Sequence, residues 1–235
     1  VRADLNAGSI ASGQTICYNT SPAPFTNSSA PTGGTGSYNY QWQKSTTSSV
    51  AGFSNISGAN SSTYNEPGNL TVNTWYRRTV TSGSCGSKNS TAVQVIVRAD
   101  LNAGSIASGQ TICYNTSPTA FTNSSSPTGG TGSHNYQWQK STTSAVAGFS
   151  NISGANSSTY NEPGNLTVNT WYRRTVTSGS CGSKNSTAVK ITVRADLNAG
   201  SIASGQTICY NTSPAPFTNS SSPTGGTGSH NYQWQ

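Results

Sequence analysis

Tyr40-Gln41-Trp42-Gln43-Lys44-Ser45 alternates ring and polar side chains, and Trp75-Tyr76-Arg77-Arg78-Thr79-Val80-Thr81 alternates in the same way. Period-two alternation is the mark of a half-buried β-strand, with Tyr40 and Trp42 sharing the inward face. Working outward, Gly8-Ser9-Ile10 and Gln14 to Tyr18 read as two short strands before this pair. Phe53 and Ile56 mark another between its members, and Thr91 to Val97 closes the set. In that closing strand Val93, Val95 and Val97 are expected to face inward. Asn19 to Ser37, with Pro22, Pro24, Pro31 and Gly33-Gly34-Thr35-Gly36, reads as a long loop without regular pairing. No apolar pattern of helical period lasts two turns.

The same stretch recurs. Residues 2–97 return as residues 98–193 with eight changes, and a third copy runs from Arg194 to Gln235, so the period is 96 residues. The second copy supports the register of the closing strand. Outward Gln94 and Ile96 become Lys190 and Thr192, while inward Val95 becomes Ile191. A fixed period of this length is one folded unit in tandem. The expected domains are 1–97, 98–193 and a partial 194–235. Seven or so short strands per unit, with Trp42 on the third and a cysteine on either side of it, predict an all-β immunoglobulin-like or fibronectin III-like sandwich. Val95-Ile96-Val97-Arg98-Ala99-Asp100-Leu101 joins two copies without Gly or Pro, which predicts a stiff, extended array.

Charged residues make up 7% of the chain, and the net charge of +7 is scattered rather than gathered into the basic face that nucleic acid requires. No apolar run approaches the ~20 residues of a membrane helix, so membrane insertion is not expected. The chain starts and stops inside a repeat, so a longer protein is expected to extend beyond it, with any targeting signals outside these residues.

Each full copy carries two cysteines that lie far apart in sequence: Cys17 and Cys85, then Cys113 and Cys181. That spacing suits disulfides rather than a metal site, which favours close pairs. The expected bridges are Cys17–Cys85 and Cys113–Cys181, tying the 19–37 loop to the 82–88 hairpin, with the partner of Cys209 beyond Gln235. A loop of that length would stabilise a domain by about 4 kcal/mol. Disulfides imply an oxidising compartment and therefore export.

Trp42 and Trp138 are expected core anchors. Tyr76 and Tyr172 read either as core tyrosines or as corner tyrosines, whose hydroxyls cap the crossover before their strand. If Tyr76 and Val80 point inward, so does Arg78, which must then bond Glu66 or stack on Trp42; a bulge that flips the register is the alternative.

Nothing assembles a catalytic centre. The first copy has no histidine, since His134 and His230 stand where it has Tyr38. Its acids are Asp4 and Glu66, far apart in sequence, whereas glycoside hydrolysis needs two facing carboxylates. Asp4 and Asp100 give a junction calcium too few ligands, and the 33–36 glycines, which lack the lysine and helix of a phosphate loop, read as a flexible loop tip. No cofactor, metal or enzymatic activity is expected. The candidates for ligand contact are Tyr18, Tyr38, Trp75 and Trp171, rings able to stack on sugars.

Ala-Gly-Ser-Ile (7–10), Gln-Thr-Ile-Cys-Tyr-Asn-Thr (14–20), Pro-Thr-Gly-Gly-Thr-Gly (31–36), Tyr-Gln-Trp-Gln-Lys-Ser (40–45), Ile-Ser-Gly-Ala (56–59) and Trp-Tyr-Arg-Arg (75–78) together resemble the Ig-like repeats of giant Bacteroidota surface proteins exported by the type IX system, SprB-like gliding adhesins among them. The resemblance implies an extracellular, cell-anchored filament that contacts surfaces or polysaccharide. Two other functions fit the same residues: a carbohydrate-binding module repeated for avidity, and a subunit of a self-assembling fibre in which neighbouring copies complete the third repeat.

Overall fold

Eight strands build the first repeat in the structure, a computed structural model that describes residues 1–235. They are β1 (Ser9–Ile10), β2 (Gln14–Ile16), β3 (Asn27–Ser29), β4 (Asn39–Ser45), β5 (Ser54–Asn55), β6 (Thr74–Thr81), β7 (Ser87–Asn89) and β8 (Val93–Val97). One sheet runs in the order β2-β8-β6-β4-β5, with β7 also on β6. The facing layer is β1 against β3, extended by single bridges that join Phe25 to Tyr64 and Thr20 to Leu70. The result is an immunoglobulin/fibronectin III-like sandwich.

The alternation read from the sequence decides the core. Thr74, Tyr76, Arg78 and Val80 point inward along β6, and the intervening residues are half-buried. On β8 Val95 is fully buried and Ile96 is exposed, as the register required. Across the sandwich the rings of Phe25 and Tyr76 lie 4.5 Å apart, with Trp42 5.7 Å from Phe25 and from Tyr64. Such contacts between rings add to the burial of apolar area that drives the layers together. A second patch of Leu5, Ala7 and Val80 packs with Tyr38 and Tyr40.

Two expectations fail here. The 19–37 segment is not free of pairing. It contains β3, and its Phe25 sits at the centre of the core. Asn27-Ser28-Ser29 carries no apolar alternation because its three residues are exposed, so neither propensity nor pattern announces it. Nor is Gly33-Gly34-Thr35-Gly36 a loose tip. A Cβ on Gly33 (φ +73°) would stand 2.0 Å from the Asp4 carbonyl oxygen, and one on Gly34 (φ +63°) 2.5 Å from Ser82 Oγ. Only glycine admits both the positive φ and the approach. Ser82 Oγ also accepts from the Thr35 amide at 2.9 Å and donates to the Ser37 carbonyl at 2.9 Å.

The predicted Cys17–Cys85 bridge also fails, for a topological reason. β2 runs parallel to β8, with Ile16 beside Val97, so Cys17 lies where the chain leaves the repeat. β6 is antiparallel to β8 and pairs Thr74 with Val95. Its far end, Thr81, lies about 23 Å from Thr74 at ~3.3 Å per residue, and leads on to Cys85. The two cysteines of one repeat therefore occupy opposite ends of it.

The second repeat builds the same eight strands from Ser105–Ile106 to Val189–Val193, around Phe121, Trp138, Tyr172 and Ile191. The third copy contributes Ser201–Ile202 and Asn219–Ser221, and its Phe217 and Trp234 rings are exposed. By density of contacts the chain forms two compact units. The first comprises 1–102 with 128–134 and 178–183, and the second comprises 103–127, 135–177 and 184–235.

Candidate functional site

Three polar constellations stand out, and all begin from side chains that the strands aim inward or place at a strand end. The first surrounds Arg78. Its register on β6 puts a fully buried guanidinium between the layers. Nη1 donates to Asn27 Oδ1 and to the Ser62 carbonyl at 2.6 Å, and Nη2 donates to the Ala7 carbonyl at 3.0 Å. Nε has no hydrogen-bond partner. The cation lies 4.9 Å from the Tyr40 ring centre and 6.0 Å from that of Trp42. Burial pulls its pKa down, partly offset by Tyr40. The expected stacking on Trp42 is present and Tyr40 lies nearer, but Glu66 is not the partner.

Glu66 forms the second constellation instead. It is buried, and its Oε2 accepts from the Tyr76 hydroxyl at 2.7 Å and from Lys44 Nζ at 3.1 Å. Burial alone would raise this carboxyl, but the Tyr76 and Lys44 hydrogen bonds, the lysine charge and the Gly68 backbone hold it below its ordinary value. The same neighbourhood pushes Tyr64 up to about 12 and raises Tyr76, mainly through burial. The Tyr76 hydroxyl therefore reaches the 65–70 crossover through a carboxylate rather than through the backbone. Arg78 lies two residues further along the same face of β6, and the opposite layer meets it there with Asn27 and two carbonyls. Lys44 and Asn27 gave no signal in sequence as partners, because neither has a local pattern that points across the sandwich.

The third constellation is the disulfide between Cys17 and Cys181. It replaces both predicted bridges. Cys85, Cys113 and Cys209 are free and exposed. A disulfide marks an oxidising compartment, and no helix is long and apolar enough to cross a membrane.

The proposed contact rings are dispersed. Tyr18 and its counterpart Tyr114 are exposed. Tyr38 is half-buried and donates to the Gly33 carbonyl at 2.9 Å. At the same place in the second repeat His134 Nε2 lies 3.2 Å from the Gly129 carbonyl. Trp75 and Trp171 are half-buried on the outer face of their strands, and Lys190 Nζ sits 5.3 Å over the Trp171 ring. The structure does not bring these rings together into one surface.

Strand order, core and period define the class: tandem immunoglobulin/fibronectin III-like repeats. The chain belongs to the family described as "Domain of unknown function (DUF8696)", whose model matches residues 6–99 and again 102–195, one period apart. No curated protein matches the sequence. Among solved structures, the three N-terminal domains of the bacteriophage RB49 Highly Immunogenic Outer Capsid protein (Hoc) align at TM-score 0.44 and 10% identity, over 81% of this chain and 70% of that one. Titin domains I67–I69, an E-to-A mutated variant, align at 0.42 and 12%, over 82% and 70%. Chicken CNTN1 FN1–FN3 domains align at 0.34 and 11%, over 84% and 69%.

Proposed function

We propose that the chain is a structural, non-enzymatic portion of a secreted cell-surface adhesin or filament, built of units 1–97 and 98–193 with 194–235 opening a third. The observation that carries this reading is the sameness of the two full copies down to individual contacts. The Tyr–Glu hydrogen bond is 2.7 Å in both, and the Lys–Glu contact is 3.1 Å in one and 3.2 Å in the other. The arginine Nη1–carbonyl bond is 2.6 Å in both, and the Nη2–carbonyl bond is 3.0 and 3.1 Å. In each copy the buried carboxylate and the buried guanidinium serve the sandwich itself. Length and avidity grow with the number of such units, whereas chemistry at one site does not.

Two features support a stiff stalk. The Arg98 amide donates to the Ile16 carbonyl at 2.9 Å, and the Val97 amide to Asn73 Oδ1 at 2.7 Å, so the exit strand is tied down to its last residue. The resemblance to SprB-like Bacteroidota repeats supports export by the type IX system and contact with surfaces or polysaccharide, with exposed Tyr18 and Tyr114 as the contact rings.

The test is to label intact producing cells with an antibody to the repeat and to measure the projecting filament by electron microscopy after deletion of whole repeat units from the gene. Labelling without lysis and a length that falls in step with the units removed are expected. Labelling only after lysis, or an unchanged length, would overturn the reading.

A further inference from the structure

Cys17 of the first repeat is bonded to Cys181, which is the second repeat's counterpart of Cys85. The sequence separation of 164 is the spacing from Cys17 to Cys85 plus one full period. We propose that this pairing is a rule of the array. The cysteine after β2 of every repeat bonds the cysteine after the sixth strand of the next, so that the free thiols of Cys85, Cys113 and Cys209 are open ends of one continuous disulfide ladder whose partners are neighbouring copies of the same repeat.

The bonded and unbonded cysteines are presented alike. Unbonded Cys85 and bonded Cys181 both close a single 3-10 turn, Gly83–Cys85 and Gly179–Cys181. In each turn the cysteine amide donates 2.9 Å to the serine carbonyl three residues earlier, and the following glycine has φ +81°. At the other sequence position, the carbonyls of bonded Cys17 and of unbonded Cys113 and Cys209 all accept from the hydroxyl of the threonine three residues on, at 2.7–2.8 Å. All three cysteines precede an asparagine of positive φ by two residues. The backbone that carries each cysteine is thus the same with the bond and without it.

The junction beside the bond also recurs. Arg98 donates from its amide to the Ile16 carbonyl at 2.9 Å and from Nη1 to the Thr131 carbonyl at 3.4 Å. Arg194 repeats both contacts, with the Ile112 carbonyl at 2.9 Å and the Thr227 carbonyl at 3.5 Å. One arginine therefore links the residue before Cys17, or before Cys113, to the glycine-rich loop of the following copy. At the first junction that loop in turn holds the turn bearing Cys181, because the Thr131 amide donates to Ser178 Oγ at 2.9 Å. The thiol that Cys113 then requires stands one period beyond Cys181, past Gln235.

Each rung forms by oxidation. Two thiols lose two protons and two electrons to a disulfide-class oxidant: a thiol–disulfide oxidoreductase, which leaves as its dithiol, or a small-molecule disulfide, which leaves as two thiols. Because each bridge spans more than one period, successive bridges overlap. Tension that enters at Cys17 crosses directly to Cys181, and the chain between them carries none of it. From Cys181 only a short length of backbone leads to Cys209, where a further rung begins. A ladder of this kind lets folded repeats extend a filament while shielding most of the chain from unfolding under load.

The experiment is a non-reducing peptide map of the full 235-residue chain after alkylation of free thiols. A second map follows on the chain lengthened after Gln235 by a copy of residues 140–193, which completes the third repeat. The first map is expected to show Cys17 joined to Cys181 with three alkylated cysteines. The second is expected to gain a bond from Cys113 to the appended copy of Cys181. Bonds Cys17–Cys85 and Cys113–Cys181, or an alkylated Cys113 in the lengthened chain, would overturn the proposal. Pulling the oxidised 235-residue chain from its ends should release about 560 Å less contour than the reduced chain, at ~3.4 Å per residue; equal lengths would overturn the shielding.

Discussion

Along the inward face of β6 two buried charges lie within reach of one register step, and the sandwich neutralises them differently. Tyr76 leads to Glu66, whose carboxylate meets a lysine whose side chain keeps 42% of its surface in water. Arg78, on the same face, meets no carboxylate at all. It is satisfied by an asparagine, two carbonyls and the faces of two rings, with one N–H unpartnered. The obvious pairing, an Arg78–Glu66 salt bridge, is not used. The anion is tied to the protein edge, where solvent reaches its counter-ion. The cation is locked among neutral dipoles between the layers. Removing either tests a different kind of dependence.

The larger effect is expected from the cation. Arg78→Met keeps the length and apolar stem but strands Asn27 Oδ1 and the carbonyls of Ser62 and Ala7. The repeat should lose about 3–5 kcal/mol, the range for removing one member of a buried charged network. Urea denaturation of the full chain reads this as a separate early transition for the affected repeat. Arg78→Lys supplies a charge and three donors without the planar fork and should recover part of the loss. Equal losses for the two variants would mean that the planar fork, and not charge or donor number, is what the site requires.

Glu66→Gln is expected to cost about 1–2 kcal/mol, because the amide can still accept from Tyr76 and Lys44, while the tyrosine bond becomes a neutral one and the ion pair with lysine is lost. Its pH signature is sharper. The folded carboxyl is held below its ordinary 4.5, so its contribution is present above that value and disappears as the pH falls through the lowered folded value. Urea midpoints at pH 7 and pH 3 should therefore differ less in the Glu66→Gln, Glu162→Gln double variant than in the parent chain. An identical pH difference in both would detach stability from this carboxylate. Arg78 offers no such handle in that range, which is the practical form of the contrast.

At alkaline pH the sign reverses. Tyr64 and Tyr160 keep their protons up to about 12, against 10 in the unfolded chain. Their stabilising contribution is thus complete below pH 10 and is lost as pH climbs toward 12. Phenolate absorbance should rise in two steps, with the later step coinciding with loss of the near-ultraviolet circular dichroism of the core. A single step near pH 10 with the fold intact would contradict the burial of these hydroxyls.

How far the sequence discloses this arrangement depends on whether the information is local. The inward set on β6, including the awkward Arg78, follows from period two alone. The Val95 register follows from the way the second copy tolerates change at Gln94 and Ile96 but keeps an apolar residue between them. β3 does not, since Asn27-Ser28-Ser29 is polar on both faces and is specified by Phe25 docking beneath it. The cysteine pairing does not either. Reading Gln14 to Tyr18 as an ordinary second strand puts Cys17 beside Cys85. Only its parallel pairing with β8, at the other end of the repeat in sequence, moves it away. Charge partners fail for the same reason. Arg78 and Glu66 are close in sequence and opposite in sign, but the opposing layer decides which groups each one meets.

The smallest effect is expected where the counter-ion of the buried anion meets water. Lys44 Nζ lies 3.1 Å from Glu66 Oε2, yet water already screens its charge, and fixing a long side chain offsets part of what the contact contributes. Lys44→Met should therefore change the stability of the first repeat by less than about 1 kcal/mol. The change should shrink further in 1 M salt, where the screening length falls to about 3 Å. Tyr76 still donates to the carboxylate in this variant, so the buried charge is not left without a partner. A loss as large as that of Arg78→Met would show that the lysine, rather than the tyrosine, makes burial of Glu66 tolerable, and the two ends of the β6 face would then obey one rule instead of two.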